Sequence, residues 1–427
     1  MDTRRGRLPL QAMATGSTGV VSPMNQHWRS RGFLVVGGMG VAGTLVGQLG
    51  ATSATTAAST GTGGLTTAIF LALILVSAGL SGLFTGRLMR RWSLRAIFAA
   101  AQAGVAVSWI LVGVIEATTD SGLLVLFAAA PIFGIFSGIT ALLTPLATRA
   151  YLGKKTLAAS VSLRSAVSGV AAIIGAVVGG HLISETYPAL GIAANGVLTI
   201  PLALFVMLVK PFSDQPTAHE HGYSVRRLAE AVRSNSQLRR VLILIVGSVI
   251  FIAPFQSLIV PVLNSVDHNP LPSGAGLVLA GLAAGRLLTP TLVKRFQARQ
   301  DDFPAAIWTT LGAAAFMAVF GASFLLEFSE TELVLWTLLG FALGSMRFTY
   351  RALLIGAAAS ALPDQREVEG LAAAATVGIF SAPIGILAWG VMLDFTSAPI
   401  TMAASAICMV ALAILMMMGA KRTRVRN

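Results

Sequence analysis

Runs of about 20 apolar residues constrain the fold of this chain more than any other feature of its sequence. A helix needs about 20 mostly apolar residues to cross the hydrocarbon of a bilayer, and such runs follow one another from residue 32 to residue 419. Charged residues make up only 11% of the chain, whereas soluble proteins contain about 25%. We therefore predict an all-α integral membrane protein, and the composition excludes soluble enzymes, nucleic-acid-binding proteins and secreted disulfide scaffolds. The single cysteine, Cys408, excludes an intrachain disulfide and a cysteine-based metal cluster.

Breaks between the apolar runs divide them into twelve predicted transmembrane helices, spans 1 to 12. Their predicted ranges are 32–51, 64–86, 95–116, 121–146, 158–183, 188–209, 240–263, 274–293, 303–326, 332–356, 369–393 and 399–419. The 30 Lys and Arg residues fall in the tails, on alternate connections and in the spans beside those connections. Because cytoplasmic loops are enriched in Lys and Arg, we expect both termini in the cytoplasm and a multi-pass location in the inner (cytoplasmic) membrane of a bacterium. The net charge of +13 then reflects topology, and we expect no nucleic-acid partner.

The longest hydrophilic stretch, residues 210–239, separates two groups of six spans. Within it, Tyr223–Ser234 (YSVRRLAEAVRS) has apolar residues on one side and basic residues on the other, which is typical of a helix lying on a membrane surface. We predict a disordered cytoplasmic tail, a first six-helix bundle, a cytoplasmic linker with an amphipathic helix, a second six-helix bundle and a basic cytoplasmic tail. These regions cover residues 1–30, 31–209, 210–239, 240–419 and 420–427.

Two pairs of glycine motifs relate the halves of the chain. Span 2 ends in Gly82–Arg87 (GLFTGR), and span 8 contains Gly281–Arg286 (GLAAGR), 199 residues later (281 − 82). Span 4 contains Gly134–Gly138 (GIFSG), and span 10 contains Gly340–Gly344 (GFALG), 206 residues later (340 − 134). Glycines four residues apart let membrane helices approach closely. Two such pairs at nearly the same offset predict a duplicated six-helix unit with a substrate path between its copies.

The connection between spans 2 and 3 resembles a known loop signature. Four residues, Gly82, Arg87, Arg90 and Arg91, match the pattern Gly-x-x-x-Asp-Arg-x-Gly-Arg-Arg, while glycine replaces the aspartate and methionine the second glycine. On these residues the chain resembles the major facilitator superfamily over about residues 30–420. The resemblance implies twelve transmembrane helices in two pseudo-repeated six-helix bundles that work by alternating access. It also implies a cytoplasmic gate, for which the candidates are Gly82, Arg87, Arg90, Arg91, Gly281 and Arg286.

A segment of span 5 resembles the exporters of that family. Ile174–Gly180 (IGAVVGG) is similar to the exporter-type signature Ile-Gly-Pro-x-x-Gly-Gly, with Ala176 in the proline position. The stretches 157–163, 254–261 and 362–364 resemble its enterobactin-exporter-like, or drug:proton antiporter, branch. This resemblance implies export coupled to protons. Close helix packing is expected at the glycines of these motifs, namely Gly175, Gly179, Gly180, Gly134, Gly138, Gly340 and Gly344.

Charged residues inside a span are the first candidates for a substrate site, because a charge in hydrocarbon costs about 2.5–3.5 kcal/mol on insertion scales. Arg347 lies near the middle of span 10, and Arg164 lies in span 5. Each either binds an anionic group or extends its charge to the cytoplasmic surface. Polar and aromatic side chains inside spans either line a cavity or pack between helices, and the substrate-binding candidates among them are Gln256, Phe255, Phe136 and Trp389.

The residue that couples transport to protons is harder to identify, because no Asp or Glu falls in the middle of a span. His181 and Glu185 lie four residues apart on one face near the end of span 5. Histidine changes its charge near neutral pH, so this pair is the proton-coupling candidate. The alternative is an exposed pair at a loop edge.

Motifs of other protein classes are absent or occur in the wrong context. Gly38–Gly43 (GMGVAG) has the spacing of a dinucleotide-binding loop but lies inside span 1 with no preceding strand. His219–His221 lies in the hydrophilic linker, and the sequence contains no phosphate-binding P-loop and no nucleophile–base set. We expect no enzyme activity, no cofactor and no metal site.

Together these features predict a secondary active transporter that exports a small, partly apolar molecule, either a drug or a metabolite. Its expected partners are the small-molecule substrate, membrane lipids and, by resemblance, protons, and we expect a monomer. Two alternatives stay open. One is a carrier for a small anionic metabolite bound by Arg347, and the other is a lipid-handling flippase without ion coupling.

Overall fold

The structure is a computed structural model that describes residues 44–45, 55, 63–118, 122–152, 157–185, 188–208, 225–265, 273–326, 332–363 and 366–424. Within these ranges all regular secondary structure is helical. The N-terminal tail, nearly all of span 1 and the first half of the predicted linker (210–224) lie outside the described residues, as do the predictions made for them.

Spans 2–6 and 9–12 are uninterrupted helices. Their bounds are Gly64–Arg91, Leu94–Thr118, Gly122–Leu152, Leu157–Glu185, Pro188–Leu208, Asp302–Ser323, Glu332–Ser360, Glu367–Phe395 and Ala398–Arg424. Nine spans of the described chain are long and apolar enough to cross a membrane, while spans 5 and 6 contribute the shorter apolar segments Ser165–Gly180 and Gly191–Pro201. Span 2 continues past its predicted end to Arg91, because a helix can extend beyond the hydrocarbon into water.

Spans 7 and 8 are interrupted where the sequence places proline. Span 7 comprises Ser236–Phe251, Ala253–Ser257 and Ile259–Asn264, and span 8 comprises Ser273–Ala284, a 3-10 turn at Gly285–Leu288, and Thr289–Gln297. Proline has no N–H to donate, so Pro290 cannot close an α-helical turn on the carbonyl of Arg286. That carbonyl accepts instead from the N–H of Thr289, which gives the tighter 3-10 geometry. The break therefore determines where Arg286 lies.

The linker helix, Val225–Ser234, forms within the segment whose sequence predicts an amphipathic helix. Asn235 follows it and begins span 7. The Oδ1 of Asn235 accepts from the Leu238 N–H at 2.9 Å, as an N-cap does. Its Nδ2 donates to the Ala361 carbonyl at 2.5 Å. One side chain therefore attaches the start of span 7 to the end of span 10.

The two halves repeat the same close helix packing. In the first half, span 4 packs on span 2, and Gly138 lies against the backbone of Ala78. In the second half, span 10 packs on span 8, and Gly344 lies against the backbone of Leu282. The equivalent pairs of spans therefore meet through equivalent glycines, which agrees with a duplicated unit. Within the described residues, spans 2 to 12 are helical and pack in the two pseudo-repeated bundles that the sequence predicts.

Two further helix pairs join the halves: span 2 with span 11, and span 5 with span 8. At the predicted outer end, the N–H of Leu65 in the first turn of span 2 donates to the carboxylate of Asp394 in span 11, at 3.2 Å. In the other pair, a Cβ at Gly276 of span 8 would lie only 2.7 Å from the carbonyl oxygen of Ala176 in span 5. Small residues therefore bring the two halves together backbone to backbone.

Candidate substrate site

Arg286 and Arg347 meet at the ring of one aromatic residue. Arg347 lies in the middle of span 10, and Arg286 lies in the 3-10 turn of span 8. The guanidinium carbon of Arg286 is 4.2 Å from the centroid of the buried Phe348 ring, and that of Arg347 is 5.6 Å from it. Both distances are within the range of about 6 Å over which a cation is attracted to a ring face. The fold therefore concentrates two positive charges at Phe348.

Parts of both guanidinium groups lack hydrogen-bond acceptors. The Nε of Arg286 and the Nη1 of Arg347 are buried atoms with no hydrogen-bond partner in the described part of the chain. No described carboxylate oxygen lies within 4.0 Å of either guanidinium group. Buried donors are nearly always paired in native structures, so these two N–H groups indicate a place for an acceptor.

Tyr350 lies beside Arg347 on span 10. Its buried side chain interacts with Arg347 and with Ser248 of span 7. The hydroxyl of Ser248 donates to the Ile245 carbonyl at 2.8 Å. Span 7 therefore borders the arginine pair through Ser248.

The arginine pair lies where the two halves meet. A Cβ at Gly169 of span 5 would lie 3.0 Å from the Cβ of Arg286 and 3.1 Å from the Ala283 carbonyl oxygen. Arg351, one turn beyond Arg347, is exposed, and its charge repels that of Arg286. The site thus has span 5 of the first half on one side and spans 8 and 10 of the second half on the other.

The other predicted substrate contacts lie apart from one another. Phe255 is only 1% exposed and packs on Phe320, with ring centroids 5.0 Å apart. Trp389 is also 1% exposed, and its Nε1 has no hydrogen-bond partner among the described residues. Phe136 is half-buried against Gly104 of span 3. Gln256 is half-buried in the short middle helix of span 7. Their roles in binding stay predictions.

The side chains of the predicted coupling residues, of the substrate candidate Arg164 and of the gate candidate Arg90 lie outside the described structure. The backbones of Arg164, His181 and Glu185 belong to span 5, and that of Arg90 belongs to span 2. Arg87 and Arg91 are exposed at the end of span 2. Of the gate candidates, Arg286 is the one that the fold brings next to Arg347, which the sequence reasoning did not anticipate.

The predicted packing glycines lie at helix contacts wherever the structure describes their neighbours. The gate candidate Gly82 also lies at a helix contact, since a Cβ there would lie 3.3 Å from the Leu142 side chain. A Cβ at Gly340 would lie 3.0 Å from the Val278 carbonyl oxygen, and one at Gly276 would lie 3.0 Å from the Cα of Gly180. The other predicted packing glycines, Gly134, Gly175 and Gly179, are buried, as is the gate candidate Gly281.

Sequence reasoning missed Phe348, Tyr350 and the Leu65–Asp394 contact. A signal for the irregular turn at Arg286 was present, because Pro290 follows Arg286 by four residues. No comparable signal exists for Tyr350 or Asp394, whose partners lie on other helices.

Comparison with known proteins identifies the family. The sequence model of the Major Facilitator Superfamily matches residues 32–378. The fold is similar to that of a D-xylose-proton symporter (TM-score 0.70, 13% identity, 90% of this chain and 96% of that chain). It is also similar to a mutant of the nucleoside transporter NupG (TM-score 0.68, 13% identity, 90% of this chain and 99% of that chain). No curated protein sequence matches significantly. Because the family model covers well over half of the sequence, the chain belongs to the Major Facilitator Superfamily of membrane transporters.

Proposed function

We propose that this transporter exports a small, partly apolar solute from the cytoplasm by alternating access, coupled to the proton gradient. The observation that carries the proposal is how the halves meet. Spans 5 and 8 touch through Gly169, Ala176 and Gly276 with little side-chain bulk between them. Two bundles joined along smooth, glycine-lined pairs of helices can rock against each other without repacking large side chains, as alternating access requires.

The direction of transport rests on the exporter-type segment of span 5. Ile174–Gly180 lies at the contact with span 8, where Gly276 faces Ala176 and Gly180. Its resemblance to the exporter signature therefore falls at a contact that changes during alternating access. The charge pattern of the loops supports an inner-membrane location with both termini in the cytoplasm.

Proton coupling rests on residues at the end of the same helix. A D-xylose-proton symporter shares this fold, so we infer that the fold accommodates proton coupling, although in that protein the solute and the proton move together. His181 and Glu185 are the proposed carriers, because a histidine four residues from a carboxylate can exchange a proton near neutral pH. The substrate would lie between the halves, near Arg347, Arg164 and the aromatic candidates, and the protein would act as a monomer surrounded by lipid.

Accumulation assays in cells that lack other efflux pumps test the proposal. Cells with and without the transporter are loaded with lipophilic cations, zwitterions and organic acids, before and after a protonophore. A Gly276→Leu variant is the matched control, because its larger side chain would press on the carbonyl of Ala176 and block movement of span 8 along span 5. Proton-driven export is supported if cells with the wild-type transporter accumulate less compound than cells with Gly276→Leu, and if the protonophore removes this difference. Equal accumulation in all cells would contradict it.

A further inference from the structure

We propose that Arg286 and Arg347 together bind a doubly charged oxyanion, either a phosphate group or a dicarboxylate. The inference rests on the proposed transport function, because it names the class of solute that the site between the halves accepts. That class is an organic anion whose charged end lies between the two guanidinium groups.

The first argument is that these two charges have no counter-charge among the described residues. Arginine keeps its proton in proteins, so burial cannot neutralise it as it can a lysine or a carboxylic acid. Arg286 and Arg347 also repel each other. Phe348 offsets part of the burial cost, but a ring face provides no oxygen acceptor for the directed N–H groups. An anion that accepts from Nε of Arg286 and Nη1 of Arg347 would remove both the repulsion and the two unpaired donors.

The second argument is that the two donors are held in place before any ligand arrives. The 3-10 turn caused by Pro290 fixes the backbone of Arg286, and Arg347 lies on the continuous helix Glu332–Ser360 beside the buried Tyr350. Fixed guanidinium groups suit phosphate and carboxylate oxygens, because the planar fork matches the spacing of those oxygens.

The third argument is position. Arg286 lies against Gly169 of the other half, so the anion would sit at the contact that opens and closes during alternating access. Rocking of span 5 away from span 8 would expose one side of the arginine pair to water.

A phosphate oxygen can come from a free solute or from a lipid headgroup, and the experiment separates the two. The transporter is purified and placed in nanodiscs of neutral phosphatidylcholine. Its thermal unfolding is followed with inorganic phosphate, with succinate, and with chloride at equal ionic strength. A second set of nanodiscs contains phosphatidylglycerol. We expect phosphate and succinate to raise the melting temperature by several degrees and choline chloride to leave it unchanged.

Three variants connect the effect to the site. Arg347→Gln and Arg286→Gln should each weaken phosphate binding at least tenfold. Arg295→Gln is the matched control, because Arg295 is an exposed cation in the last turn of the same span, and it should bind as the wild type does. Arg347→Lys keeps the charge but not the fork, and should give an intermediate affinity.

The wild type alone keeps the inference testable if a variant fails to fold. Radiolabelled phosphate should bind saturably and be displaced by succinate. Stabilisation by phosphatidylglycerol alone, lost in Arg347→Gln, would assign the same oxyanion site to a lipid headgroup. No response to any anion, or an equal response in Arg347→Gln, would overturn the inference.

The cellular assay distinguishes this inference from the proposed function. Proton-driven export of cations that is unaffected by Arg347→Gln, together with no phosphate binding, would leave the transporter an exporter and remove the anion site. Phosphate binding without export of any compound would support the anion site and contradict the proposed export.

Discussion

The missing side chain at Gly344 determines how closely span 10 approaches span 8. A Cβ at this position would collide with the carbonyl oxygen of Leu282. We expect Gly344→Ala to lower the free energy of unfolding by about 1–3 kcal/mol, because overpacking forces the two backbones apart. Thermal or denaturant unfolding in detergent measures this change.

Gly378→Ala in span 11 is the control for that substitution. A Cβ there would meet its nearest neighbour, the Ile245 side chain, at 4.0 Å, which is an ordinary contact. Its helix should gain slightly from alanine, which is the better helix former. Equal melting temperatures for the two variants would show that the glycines of spans 8 and 10 do not control their separation.

Pro290 interrupts span 8 just after Arg286, so its replacement tests how the 3-10 turn positions that arginine. Pro290→Ala restores the N–H that can bond the carbonyl of Arg286, so the 3-10 turn should become α-helical and rotate Arg286 away from Phe348. We expect phosphate affinity to fall about tenfold, equivalent to about 1.4 kcal/mol, while the melting temperature without phosphate stays the same or rises. The measurement is the phosphate-dependent shift in melting temperature.

Pro261→Ala in span 7 provides the comparison, because it also removes a helix-breaking proline but lies in the last segment of its span, Ile259–Asn264. It should bind phosphate as the wild type does. If Pro290→Ala also did so, the 3-10 turn would have no part in placing Arg286.

The sequence predicts where the helices lie but not which face of each helix contacts which neighbour. Apolar runs mark spans 2 to 12 well, because the membrane leaves a 20-residue apolar segment little choice but a helix. The pairing of Arg286 with Arg347 could not be predicted in the same way. In a soluble protein, polar residues mark the outer face of a helix, but the outside of a membrane helix is as apolar as its core. The sequences of spans 8 and 10 therefore do not show how each helix is rotated about its own axis.

For the whole molecule, the Leu65–Asp394 contact connects local chemistry to alternating access. The first turn of span 2 has free N–H groups and a partial positive charge, and the carboxylate of Asp394 approaches it from span 11 in the other half. Gly63 permits this approach, since a Cβ there would lie 2.8 Å from the Asp394 Oδ1. The contact joins the two halves at the predicted outer end, and we expect it to break when that end opens.

Asp394→Asn should therefore shift the equilibrium toward the outward-open state, because the amide loses the charge that favours the helix N-terminus. A carboxylate at such a position contributes about 0.3–1 kcal/mol, so the ratio of open to closed molecules should rise about two- to fivefold. Spin labels at Leu124→Cys and Leu325→Cys, in a Cys408→Ser background, report this ratio. Both leucines are over 70% exposed at the predicted outer end of opposite halves.

Asp301→Asn serves as the control, because Asp301 is exposed just before span 9, at the predicted cytoplasmic end, and its loss should leave the label distances unchanged. An unchanged distance distribution in Asp394→Asn would mean that Asp394 does not hold the halves together. The two sites would be coupled if the label distances shifted in Asp394→Asn and not in Asp301→Asn, and if added phosphate enlarged that shift. It would mean that occupation of the arginine pair and release of the outer contact bias the same movement of the two halves.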